Sequence, residues 1–248
     1  MTHRPLADTS NPAPSQEDSE MSITSSKLIR WAGLSAVLAG ILFVVIQPIH
    51  PPDVLSSVTT GQWAVITSLK MAMALFGLFG VMGIYARQAE KVGWLGLAGY
   101  LLFSLFLALT TAFAFAEAFI LPLLATDAPK FVEGFLGLAS GSASDVDLGA
   151  IPTIYAIAGA GYILGGLLFG VAIFRAGILP RWPAGILAAA GPASVLAVSL
   201  LPHAVERFAA APGGLALAWL GYALWAERHQ SAEQPMPGTA VATGVGAA

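Results

Sequence analysis

Apolar runs of about twenty residues, each long enough to cross roughly 30 Å of hydrocarbon, recur at Trp31–Ile49, Ile66–Tyr85, Trp94–Leu121, Ile151–Phe174, Trp182–Leu201 and Phe208–Trp225. Hydrophobic residues make up 56% of the 248 and charged residues only 10%, where an ordinary soluble domain is about 25% charged. Mean hydropathy is +0.76. The expected fold is therefore all-α: a polytopic membrane helix bundle of six transmembrane helices, arranged as three hairpins.

Basic residues beside these runs divide unevenly. Lys27, Arg30, Arg87, Lys91, Arg175, Arg181 and Arg228 fall at one end of the bundle, while only Lys130 and Arg207 fall at the other. The positive-inside rule then puts both termini in the cytoplasm. Residues 1–26 and 229–248 read as disordered tails around a transmembrane domain at 27–228, because neither tail holds enough apolar surface to order itself. The first apolar run is long enough to span and lacks a cleavage pattern, so it reads as an uncleaved helix. Met21 opens MSITSSKLIRW and stands beside Met1 as an alternative start.

A repeat emerges when the runs are aligned. RWAGL, GWLGL and RWPAGI open the odd helices, and GIYAR, VAIFR and YALWAER close the even ones. Internal duplication and a shared demand for Trp, Tyr and Arg at the headgroup layer account for it equally well. Glycines at Gly77, Gly80 and Gly83, at Gly93, Gly96 and Gly99, and at Gly161, Gly165, Gly166 and Gly170 lie along seams where helix backbones can approach. Pro192 and Pro212 are expected to kink or break the last two helices. The long outer loop, 126–149, contains PKFVEGFLGL, whose Phe131, Phe135 and Leu138 share one face of a short helix started by Pro129. That helix is expected to lie on the membrane surface.

Several chemistries lack their residues. With no cysteine there is no disulfide framework and no thiolate metal site. A net charge of −3 without a basic block gives no footprint for nucleic acid. No nucleotide-binding loop, zinc-protease helix or nucleophile elbow occurs, so no cofactor and no metal are expected. Membrane lipids are the expected partners, with a second copy of the chain or another membrane protein as further ones.

Within AFAFAEAFILP, Ala112 to Pro122, one carboxylate interrupts a span. An ionisable residue in a span is costly and marks a candidate site. At about 1.5 Å per residue, Glu117 stands roughly 34 Å along its helix from Trp94, near the outer edge of the hydrocarbon at about 30° tilt. Lys70 stands about 22 Å from Tyr85, with a stem long enough to reach outward to the same layer. His50 in QPIHPPD and His203 in LPHAVER come out about 30 Å from their inner tryptophans, with Asp53, Glu206 and Arg207 just beyond. Glu117, Lys70, His50 and His203 are thus candidates for ligand binding or ion pairing. Snorkelling of Lys70, a purely structural pairing of Glu117, and plain loop roles for the two histidines are the simpler readings of each.

The turn IYARQAEKVGWLGLAGYLL and the later FAEAFILP resemble a broad group of small multi-pass bacterial membrane proteins, over most of Lys27–Arg228. The resemblance rests on interface and packing residues and transfers no catalytic ones. A binding, sensing or assembly protein with its polar cluster at the outer face is the favoured function. A membrane-embedded enzyme on a lipid or isoprenoid, with Glu117 as general acid or base beside Phe113, Phe115 and Phe119, and a small-solute transporter are the alternatives.

Overall fold

The computed structural model describes residues 25–200 and 207–233, and among these every regular element is helical. Six long helices are α1, Ser25–Ile49; α2, Gly61–Ala86; α3, Ala89–Leu124; α5, Ile151–Ala176; α6, Arg181–Leu200; and α7, Ala211–Glu233. A short α4, Pro129–Gly137, lies between α3 and α5. The stretches Lys27–Ile49, Gly61–Ala86, Ala89–Leu124, Ile151–Ala176 and Phe208–Ala226 are long and apolar enough to cross a membrane. Of the expected tails, residues 1–24 and 234–248 lie outside the described residues, while α1 begins at Ser25 and α7 continues to Glu233.

Local chemistry sets the boundaries. α2 starts before Ile66 because Thr60 caps it: its Oγ1 accepts the Trp63 backbone N–H at 3.2 Å and satisfies a donor the helix would otherwise leave unpaired. In α3 the backbone breaks at Gly93, whose φ of +58° suits a residue without Cβ, and the long run of the helix follows from Trp94. α6 runs through Pro192 as one helix, and Pro212 falls in the first turn of α7, where a missing N–H costs nothing. Neither proline interrupts its helix.

The long helices close a ring in chain order. α1 packs on α2, α2 on α3, α3 on α5, α5 on α6, α6 on α7, and α7 returns to α1. At the end of the ring that carries Arg87 and Arg175 the interior is solid, filled by Val81, Ile84, Phe169, Ile173, Leu220 and Leu224. Backbones approach closely there: a Cβ on Gly99 would stand 2.3 Å from the Phe169 backbone nitrogen, a distance only glycine tolerates.

The opposite end, near His50, is built differently. α4 buries Phe135, expected on its lipid-facing side with Phe131 and Leu138, against protein. It turns Val132, Phe135 and Leu136 onto Val58, Trp63 and Leu121 and buries them. Positions 132, 135 and 136 form their own helical stripe, and the buried Trp63 indole offers it a protein partner, so α4 packs over the end of α3 and covers part of the cavity beneath.

Candidate functional site

Two residues five apart in the sequence shape the site. Near the end of α3 the segment Ala116–Ile120 widens into a π turn, in which the Leu121 N–H bonds the Ala116 carbonyl. That bond removes the ordinary helical partner of the Glu117 carbonyl. The next donor along would be residue 122, which is proline and has none. Trp63 fills the gap: its Nε1–H donates to the Glu117 carbonyl at 2.8 Å. The indole is fully buried, and α2 and α3 are joined at this level by its part-buried hydrogen bond.

Two turns further along α2, Lys70 Nζ donates to Glu117 Oε2 at 2.5 Å. The side chains are 24% and 15% exposed respectively, so the pair is sheltered but not sealed. Thr67 between them turns its Oγ1 back to the Trp63 carbonyl at 2.7 Å and adds no polar group to the interior.

His50 stands at the end of α1 with its ring edge-on to Trp63, centroids 5.8 Å apart. Its Nδ1 lies 2.7 Å from the Pro51 carbonyl. A carbonyl only accepts, so Nδ1 carries the proton and the neutral ring has Nε2 as its acceptor. Burial pushes the His50 pKa below its ordinary 6.5 and the Lys70 charge adds to this, while Asp53, the Pro51 carbonyl and Glu117 act in the opposite sense.

These groups line one cavity of about 420 Å3. Lys70, Glu117, His50, Asp53 and Gln47 stand on its wall together with Thr110, Phe113, Phe106 and Phe43. α5 contributes Tyr155 and Tyr162, α6 contributes Ser194, and α4 covers it with Phe135 and Leu136. Its aromatic rings hold one another in place: Phe113 meets Tyr155 edge to face at 5.3 Å, and Phe106 meets Tyr162 at 5.0 Å. Tyr162 lies in a second π turn, Gly161–Gly165, so both widened turns of the described residues border the same cavity.

Of the residues singled out in the sequence, Glu117, Lys70 and His50 are brought together, with Asp53 exposed beside them. His203 lies outside the described residues, as does Glu206. Phe115 and Phe119 are not part of the site: they are nearly half exposed and pack on each other at 5.2 Å, away from the cavity wall. Trp63, Tyr155 and Tyr162 escaped sequence reasoning. Pro122, five residues after Glu117, is the one signal that could have pointed to a freed carbonyl and its indole partner. Among the described residues no group of three or more His, Cys, Asp or Glu side chains could hold a metal ion. No family model, curated protein or solved structure matches the chain.

Proposed function

We propose that this is a six-helix integral protein of the bacterial inner membrane, with both termini cytoplasmic, that binds a small and mainly apolar molecule in the cavity near His50. The observation that carries the reading is the cavity itself: a space of about 420 Å3 inside the helix ring, walled by mutually packed aromatic rings, with its ionisable groups gathered at one end. Ligand sites have this character, an apolar wall with a few convergent polar groups.

The membrane setting is supported by five helices of spanning length and apolarity and by the exposure of Trp31, Trp94 and Trp182 at the end rich in arginine, where an interfacial aromatic belt belongs. α6, with 20 residues, is the sixth crossing. The basic residues at that end make it cytoplasmic, so the cavity lies toward the outer face. A cysteine introduced at Ser142, in a chain with none of its own, is expected to react with an impermeant maleimide from outside. Reaction only from the cytoplasmic side would reverse the orientation.

Binding is favoured over acid–base catalysis by the Lys70 contact. Oε2 of Glu117, the one carboxylate of the run Trp94–Leu121, is already occupied by the ammonium. Native mass spectrometry of protein released from mild detergent tests the binding reading. A co-purified molecule retained by the natural chain and lost from Thr110→Trp, which fills the cavity from α3, supports it. Equal spectra for the two proteins, with no adduct beyond annular lipid, would reject it.

A further inference from the structure

The sign of the charge in the cavity narrows what it can hold. Among the described residues lining it, Asp53 and Glu117 carry negative charge and Lys70 positive charge. Lys70 is already engaged with Glu117 Oε2, and Glu117 Oε1 has no hydrogen-bond partner among the described residues. Asp53 is exposed at the edge of the same space. The described wall is thus one negative charge in excess. His50 does not offset it at neutral pH, since burial holds its ring in the neutral form.

Aromatic faces add to the same preference. Phe106, Phe113, Tyr155 and Tyr162 line the same cavity as the charged groups, and the face of an aromatic ring attracts a cation, most strongly where water is excluded. An anionic head would find spare donors on Lys70, but it would place a third negative charge beside Glu117 and Asp53 in a poorly screened space. A cationic head compensates the excess instead. The apolar remainder of either molecule gains equally from the wall, so charge decides between them.

We propose that the cavity selects an amphipathic organic cation, a lipophilic ammonium or phosphonium in chemical class, over an anion of the same shape. The inference rests on the reading of the cavity as a binding site and adds the identity of the head group. Glu117 and Asp53 supply the countercharge, the rings supply the cation–π surface, and Lys70 holds Glu117 in place while limiting how negative the site becomes. Removing Glu117 and removing Lys70 therefore have opposite effects on cation binding, which a purely structural ion pair would not produce.

The test uses the full chain with Thr110→Cys in membrane vesicles, since no native cysteine competes. Two small thiosulfonate reagents of opposite charge, trimethylammonium-ethyl and sulfonato-ethyl methanethiosulfonate, are compared at this position, each rate divided by its rate with a free thiol. The cationic reagent is expected to be favoured about tenfold, the size of effect a cleft of one charge sign gives. Tetraphenylphosphonium should slow the reaction, and tetraphenylborate, its near-isosteric anion, should not. Glu117→Gln should reduce the rate ratio and Lys70→Met should raise it. Asp53→Asn, at an exposed position where folding is not at stake, should also reduce it. A ratio near one, or one favouring the anion, overturns the head-group inference and leaves the cavity reading standing. No reaction with either reagent overturns both.

Discussion

The two ends of the helix ring use the same six helices for opposite purposes. At the arginine-rich end, backbones meet through glycine and alanine and the interior is filled by Val81, Ile84, Phe169, Ile173, Leu220 and Leu224. Toward His50 the same helices stand around a cavity of about 420 Å3, and what joins them is specific: an indole bonded to a freed carbonyl, one ion pair, and a cover helix. Lipid gives helices little hydrophobic reason to associate, so stability comes from close packing where backbones touch and from polar contacts where they do not. One end holds the fold, and the other is thereby released to hold a cavity.

The comparison breaks most readily at the packed end. Gly99→Val sets a side chain against the Phe169 backbone, which cannot move aside, and should cost about 3 kcal/mol or prevent assembly, read as a fall in melting temperature of detergent-solubilised protein. Next come the single removals at the other end. Lys70→Met or Glu117→Gln leaves a partly buried group without its partner, a loss of about 2 kcal/mol once the partial exposure of the pair is allowed for. The double variant should lose less than the sum, and strict additivity in that cycle would reject the coupling.

Trp63→Phe leaves an aromatic ring in the Val58–Leu121 cluster but removes the rest of the buried indole together with the donor to the Glu117 carbonyl. A loss of about 2 kcal/mol is expected, the lost donor and the vacated volume both contributing, and unchanged melting would mean that the cluster closes over the gap and another donor serves that carbonyl. Titration gives a smaller effect. Below about pH 6.5 an unfolded chain protonates His50 while the folded one resists, so stability is complete above that pH and declines as pH falls through it. The decline should flatten in His50→Gln, and a slope that survives the substitution assigns it elsewhere. Gly159→Ala, beside the cavity where an added methyl meets nothing within 4 Å, should leave melting within about 0.5 kcal/mol of the natural chain.

How much of this is legible in the sequence differs between the two ends. The packed end is written in composition: runs of spanning length and glycines in register imply close helices before any coordinates exist, and Gly80, Gly83, Gly99, Gly165 and Gly170 do stand where an added Cβ would strike a neighbouring helix. Helical rise alone also brings Lys70 and Glu117 to one layer. The cavity is another matter. Its wall combines side chains from α1, α2, α3, α5 and α6, and no local spacing encodes which faces of distant helices meet. α4 was legible as an amphipathic turn, but not its partner, because Trp63 at the start of a span looks like any interfacial tryptophan until the π turn frees a carbonyl for it. Phe115 and Phe119 misled for the same reason: a phenylalanine next to a carboxylate in sequence faces another way around the helix.

The central claim, that the ring is solid at one end and open at the other, is tested most directly on a single helix. Leu107 and Thr110 are three residues apart on α3, the first buried in the packed core and the second on the cavity wall. Cysteines introduced one at a time at these positions, in a chain with none of its own, can be timed for reaction with the trimethylammonium-ethyl thiosulfonate in intact vesicles. Modification of Thr110→Cys at least about a hundredfold faster than that of Leu107→Cys is the predicted result, the contrast between a solvated cleft and a core packed to the density of a crystal. Equal rates at the two positions, whether both fast or both undetectable, would contradict the division of the ring into a solid half and an open one.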